Sequence, residues 1–194
     1  MRRLTLLLFL MLSVGAFAQK GTNQMSIFAG YEYFPELRKG DGYNIGIEFK
    51  HYLNNRFFAV ANFHAGVNDA VVHESYTRDD VQYNFDLGNS VRDYMIGFGI
   101  GADLMHIKKH KIYLQSTVGL GASEQHEEGI GQHPVFDQDI VKQFDENSVR
   151  FAISATAGYE YQVTDLFSIG VNYTGWQIGY EFKSSANVKF GFTF

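Results

Sequence analysis

Lys189-Phe190-Gly191-Phe192-Thr193-Phe194 alternates without a break between an aromatic and a polar face. Successive side chains of an extended chain point to opposite sides. Phe190, Phe192 and Phe194 therefore share one face, and Lys189, Gly191 and Thr193 the other. Such a strand needs an apolar medium on one side and a polar space on the other. A closed β-barrel in a membrane supplies both, because a ring of strands pairs every backbone polar group and has no open edge.

The same two-residue period recurs upstream, so the chain is predicted to be all-β. In a first strand, Gln24 to Phe34, the residues Met25, Ile27, Ala29, Tyr31 and Tyr33 oppose Ser26, Phe28, Gly30 and Glu32. Tyr43 to Tyr52 repeats the pattern, with Asn44, Gly46, Glu48 and Lys50 on the polar side. A third strand starts at Phe57, and its two faces are hardest to tell apart because both carry apolar residues. Further strands are expected over Arg92–Met105, Ile112–Ala122, Arg150–Gln162, from Phe167 to Thr174, and over Ser185–Phe194, with Trp176–Lys183 leading into the last. Each has about the ~10 residues a tilted strand needs to cross a bilayer.

Eight strands close an antiparallel up-and-down transmembrane barrel with both ends of the chain on the periplasmic side. The connections at Leu53–Arg56, Lys108–Lys111 and Thr164–Leu166 are tight turns. The alternate connections are longer, as in barrels with short periplasmic turns and long extracellular loops. Val67–Ser90 and Ser123–Ser148 are read as the two long loops. The first holds five acids and one base, and Ser123–Glu146 holds seven acids and one base. Outward aromatics gather in two girdles, Tyr31, Tyr33, Tyr43, Tyr94 and Tyr173 above, and Phe57, Tyr159, Tyr161, Phe167 and Phe194 below.

Met1-Arg2-Arg3, the apolar run Leu4–Leu12 and Ala16-Phe17-Ala18 follow the pattern of a secretory signal, so residues 1–18 are expected to be removed. Removing Arg2 and Arg3 takes the formal net charge from −5 to −7, and 194 minus 18 leaves a 176-residue barrel domain, 19–194. Gln19, not Cys, would follow the cut, which excludes a lipidated N-terminus. There are no cysteines, hence no disulfide and no thiolate metal site. The acidic balance and the lack of basic clusters argue against nucleic acid.

The inward charges are Glu32, Glu48, Lys50, Asp103, Arg150, Glu160 and Lys189. An eight-stranded barrel is just wide enough to be filled by side chains, and charges inside it must be paired. A closed lumen with a charge network follows, Phe28, Phe58, Met95 and Tyr113 taking up further room. Placing Met25 opposite Phe194 to close the barrel sets Gly30 opposite Lys189. Lys189 is then expected to bridge Glu32 or reach Glu48, with Lys50, Asp103 and Glu160 forming a second cluster nearer the periplasm.

The signal-like start, the alternating strands and the terminal Lys189–Phe194 segment together resemble the small eight-stranded outer-membrane β-barrels of Gram-negative bacteria, most of all a broad, mostly uncharacterised outer-membrane barrel family. The terminal Phe on an aromatic row, with Phe190 and Phe192, resembles the signal read by the β-barrel assembly machinery. The resemblance implies an outer-membrane location, contact with lipid and lipopolysaccharide, and a monomer. Members of this fold include adhesion and defence proteins, narrow channels for hydrophobic molecules, and a few lipid A enzymes.

The expected function is structural or surface interaction through the acidic loops. A narrow channel for small or hydrophobic molecules and a lipid A-modifying enzyme are the alternatives. No catalytic, cofactor or metal residues are assigned. His126 and His133 near Glu127 and Glu128 lack the spacing of a zinc site, and the acidic loops lack the Asp-x-[Asp/Asn]-x-[Asp/Asn]-Gly pattern of a calcium loop. His51 and Ser116 do not fall on adjacent strands, so no Ser–His pair is read. A secreted lipocalin-like barrel would carry its apolar face inside, opposite to the placement of Glu48, Lys50, Asp103, Glu160 and Lys189.

Overall fold

The computed structural model describes residues 21–35, 41–78, 81–132 and 139–194. The expected signal segment, Asp79, Asp80, His133 and Asp137 lie outside the described residues. Eight strands form: β1 (Asn23–Tyr33), β2 (Gly42–Tyr52), β3 (Phe57–Arg78), β4 (Val81–Ile107), β5 (His110–Gln132), β6 (Asp139–Gln162), β7 (Phe167–Ile178) and β8 (Glu181–Thr193). They run β1 to β8 in sequence order, every neighbouring pair antiparallel, and β8 closes on β1.

The two faces fall as the alternation predicts. Ile27, Tyr31, Ile45, Phe98, Leu120, Phe151 and Phe190 stand exposed on the outer wall, while Ser26, Phe28, Glu48, Lys50, Tyr113 and Lys189 are buried inside. An apolar wall around a polar interior is stable only where the wall meets hydrocarbon. On β3 the inward set includes Phe58 and Val60, which pack with Tyr113 as an apolar floor beside Tyr52. That floor is why β3 reads as apolar on both faces. A β-bulge between Asp103 and Met105 breaks the pairing of β4 with β5 near the periplasmic end, turning both Leu104 and Met105 outward.

The described residues of Val67–Ser90 and Ser123–Ser148 are strand, not loop. The β3–β4 ladder continues to Arg78↔Val81, and the β5–β6 ladder to Gln132↔Asp139. β4 alone has 27 residues, far beyond the ~10 needed to cross a bilayer. Above the membrane a strand no longer needs an apolar face, so its side chains turn polar on both sides while the backbone ladder goes on. The polar composition read as loop is that of a water-exposed sheet. β4 and β5 stay paired up to Asn89↔Glu127, which joins the two hairpins into one four-stranded extracellular sheet.

β2 accompanies β3 only to Gly42↔Asn68, and β7 accompanies β6 only to Ile178↔Ala152. The upper stretches of β3 and β6 are therefore sheet edges among the described residues.

The connection from β7 to β8 is also shorter than expected. Trp176 belongs to β7 and Lys183 to β8, joined by the two-residue turn Gly179-Tyr180. Gly179 has φ 59, a left-handed conformation that glycine adopts without steric cost. This places Trp176 inside the barrel, 1% exposed.

The closing register is offset by two residues from the expectation. Met25 faces Phe192 and Phe28 faces Lys189, while Phe194 exchanges backbone hydrogen bonds with Asn23 at 2.9 Å each. A two-residue slip leaves every side chain on its own face.

Candidate functional site

Four of the seven inward charges meet in one cluster at mid-barrel. Lys189 Nζ donates to Glu160 Oε1 at 2.7 Å and also to Glu48. Lys50 Nζ donates to Glu160 Oε1 at 3.2 Å and lies 3.5 Å from Glu48 Oε1. Gln24 Nε2 donates to Glu160 Oε2 at 2.9 Å, and Gln115 donates to Glu48. The Lys50 ammonium stands 3.4 Å from the Tyr113 ring centre, and the Tyr113 hydroxyl accepts from Lys189 at 3.3 Å. Two carboxylates and two ammoniums cancel, and side chains supply the remaining hydrogen bonds. These are the conditions under which buried ion pairs persist.

The expectation of two separate clusters is corrected here. Lys50 and Glu160 belong to the same cluster as Lys189, because the pairing of β6, β7 and β8 puts Glu160, Gly170 and Lys189 in one row.

The other three charges stand apart. Asp103 is buried below the cluster, paired in register with Tyr113. Arg150 lies above the lumen, half-buried, with its guanidinium 3.1 Å from Glu146. It is not a member of the interior network. Glu32 is not bridged by Lys189 but accepts from Asn68 Nδ2 at 2.7 Å. Near it lies an ion pair that sequence reasoning missed, Lys183 with Asp93. The Lys183 ammonium stands 4.4 Å from the Phe34 ring centre and 5.8 Å from that of Trp176. Asp93 has inward parity one residue before Tyr94, which was the available signal. Lys183 was hidden in what read as a connection.

The extracellular sheet carries cross-strand polar pairs on its outer face. His73 Nδ1 and Asp86 Oδ1 lie 2.6 Å apart, as do His126 Nδ1 and Asp145 Oδ1, and Arg92 pairs with Asp69 at 2.8 Å. Asp69, Ser90, His126 and Asp145 are register partners on four successive strands. Ser90 thus sits beside the His126–Asp145 pair, a placement that only the pairing of β4, β5 and β6 brings about.

His51 and Ser116 are not brought together. His51 bonds Asn23 at 2.8 Å, and Ser116 donates to the Ser154 carbonyl at 3.0 Å. Among the described residues no three His, Asp or Glu side chains converge as a metal site requires. Glu128 accepts from the Gly88 amide at 2.7 Å and from Gln143 at 3.4 Å. These bonds, the Gly88 amide first, hold its carboxyl below the usual range. Beside it a 210 Å³ cavity is lined by Val72, Glu74, Leu87, Asn89, Glu128 and Ile130.

No family model matches the chain, and no curated protein matches it in sequence. Solved structures match it in fold. The attachment invasion locus protein Ail of Yersinia pestis is 13% identical, with 91% of this chain and 100% of that one covered and a TM-score of 0.54. Its complex with the heparin analogue sucrose octasulfate aligns at 0.56. Neisserial surface protein A is 14% identical over 89% of this chain and 95% of that one, at 0.55. OprG, an outer-membrane protein of Pseudomonas aeruginosa, is 9% identical over 89% and 96%, at 0.51. At such identities the likeness is one of fold. The eight-stranded ring, apolar outside and polar inside, is a transmembrane β-barrel of the outer-membrane kind, and its wall sets the chain in an outer membrane.

Proposed function

We propose that this protein is a surface-interaction protein, its closed barrel serving as a rigid base for the extracellular sheet. One observation carries the reading: the sheet rises above the membrane with the edges of β3 and β6 uncovered among the described residues. An uncovered edge offers unpaired backbone groups to an extended segment of another chain. Val71, Val141, Phe144 and Val149 are exposed on these strands, and the surrounding acids favour a partner of basic or neutral character. The neutral cluster of Glu48, Lys50, Glu160 and Lys189 supports a plugged lumen over a narrow channel.

The same reading has residues 1–18 as the secretory signal, Phe190, Phe192 and Phe194 as the segment read by the assembly machinery, lipid and lipopolysaccharide around the wall, and a monomer in the membrane. The test is adhesion by cells expressing the full chain or a variant whose β3–β4 and β5–β6 hairpins are cut back to the barrel rim. Adhesion should fall to the level of empty cells. Equal adhesion by both, with both assembled, sinks the proposal.

A second reading, hydrolysis at the membrane surface, is favoured by one row, Ser90–His126–Asp145. A nucleophile beside a base that an acid orients is the arrangement such chemistry uses. Mass spectrometry of lipid A from overexpressing cells separates the two readings. A lost acyl chain that returns in Ser90→Ala selects hydrolysis, and unchanged lipid A selects surface interaction.

A further inference from the structure

The extracellular end of the lumen is built differently from its middle. Gly66 on β3 lies in register between Asn44 on β2 and Asp93 on β4. With no side chain at Gly66, the Glu32 carboxylate from β1 lies against the backbone there. A Cβ at that position would come within 2.5 Å of Glu32 Oε1 and 3.0 Å of Oε2. Asn68, two residues on, donates to the same carboxylate. Glu32, Asn44, Asn68 and Asp93 are each 0% exposed.

This set is unbalanced in two ways. Glu32 and Asp93 bring two carboxylates against the single ammonium of Lys183, which leaves one buried negative charge. The mid-barrel cluster has none left over. The set also has surplus acceptors. Asn68 Oδ1, Asp93 Oδ1 and the amide oxygen of Asn44 have no hydrogen-bond partner among the described residues. Buried polar atoms are seldom left unpaired, and an uncompensated buried charge is strongly disfavoured. Both deficits are removed by one kind of group, a cation that takes oxygen ligands. The Asn68 amide nitrogen is committed to Glu32, so its oxygen is the free atom, while Asn44 can turn its oxygen inward. Lys183 pairs with Oδ2 of Asp93, which leaves Oδ1 for another partner.

We propose that Glu32, Asn44, Asn68 and Asp93 form an oxygen-lined site for a hard cation, Ca²⁺ or Na⁺, at the extracellular end of the lumen. Two carboxylates and two amide oxygens are the ligand types such ions select. The neutral ion-pair cluster below closes the path toward the periplasm, so the ion is held and not conducted. It would tie β1, β2, β3 and β4 together beneath the extracellular sheet.

The test uses the full chain refolded in detergent micelles with Tb³⁺ as the probe. Trp176 is the only tryptophan, and it stands beside Glu32, so it is placed to sensitise Tb³⁺ bound there. Tb³⁺ emission excited through tryptophan should appear in the wild type and be displaced by Ca²⁺ or Na⁺, whichever is the resident ion. Asn44→Ala should weaken Tb³⁺ binding at least tenfold while the barrel still shows its heat-modifiable gel band. Asn68→Ala provides the same reading if the first variant does not fold. The proposal is overturned by absence of sensitised emission in the wild type or by emission unchanged in the folded variant, which would place the ion on the acidic hairpins. It is overturned too if neither Ca²⁺ nor Na⁺ displaces Tb³⁺ from the wild type at neutral pH.

Discussion

Lys189 on β8 and Glu160 on β6 meet at 2.7 Å inside the barrel, with Gly170 of β7 between them in register. A side chain at position 170 would stand in the line of contact, and its Cβ would lie 3.1 Å from Glu160 Cγ. The glycine lets two strands that do not touch share an ion pair. The same device recurs at Gly66 beneath Glu32. In a ring this narrow, small residues decide which inward side chains reach one another.

Lys189→Met removes the ammonium shared by Glu48 and Glu160. Stability should fall by about 3–5 kcal/mol, the usual cost of breaking a buried pair and an upper limit if water enters. Glu160→Gln added to Lys189→Met should restore part of the loss, because one stranded charge goes with it. Urea unfolding of the three proteins measures both effects. A Lys189→Met midpoint equal to wild type would falsify the account of the cluster.

The filled lumen should not conduct. Phe58 and Tyr113 lie beside the four-charge cluster, all of them at most 2% exposed. Planar-bilayer recording of purified protein should show no steady single-channel steps. Reproducible steps of one size would instead support the narrow-channel alternative.

Deleting Phe194 should separate folding from delivery. The residue contributes two backbone hydrogen bonds to Asn23 and a ring stacked 5.8 Å from that of Phe192. Hydrogen bonds of this kind are worth about 1 kcal/mol each net, so refolding into detergent should survive the deletion. Insertion in cells should drop if the terminal aromatic is read during assembly. Equal insertion of both proteins would remove that role.

Glu128 links β5 to the Gly88 amide of β4 through a carboxyl whose pKa is lowered in the fold. A depressed carboxyl pKa contributes stability that is present above the unfolded value and lost as pH falls through the folded one. The Gly88 amide should therefore lose hydrogen-exchange protection below the ordinary carboxylate range, relative to Glu128→Gln at the same pH. Identical protection in both proteins across the acid range would show that this contact does not hold the hairpins together.

The mid-barrel network was partly legible. Glu48, Lys50, Glu160 and Lys189 were placed inside from parity alone, and that parity holds for each. Arg150 has the same parity yet rises out of the lumen, because parity gives the side of the sheet and not the height along the barrel axis. Asp93 and Lys183 share the inward parity too. They escaped notice because both sat at margins where strand was taken to give way to connection.

The sequence by itself determined which side chains face hydrocarbon and which face inward. That property is local, since a pleated chain turns successive residues to opposite sides wherever it is paired. It carried the strand count, the barrel class and the polar interior. Tertiary structure alone decided the two-residue register of β1 on β8, the growth of two acidic segments into a four-stranded sheet, and the grouping of the charges. A slip by two preserves every face, and a strand in water has no apolar side to betray it. Glu160 meets Lys189, and Ser90 meets His126, only through ladders joining residues far apart in the chain.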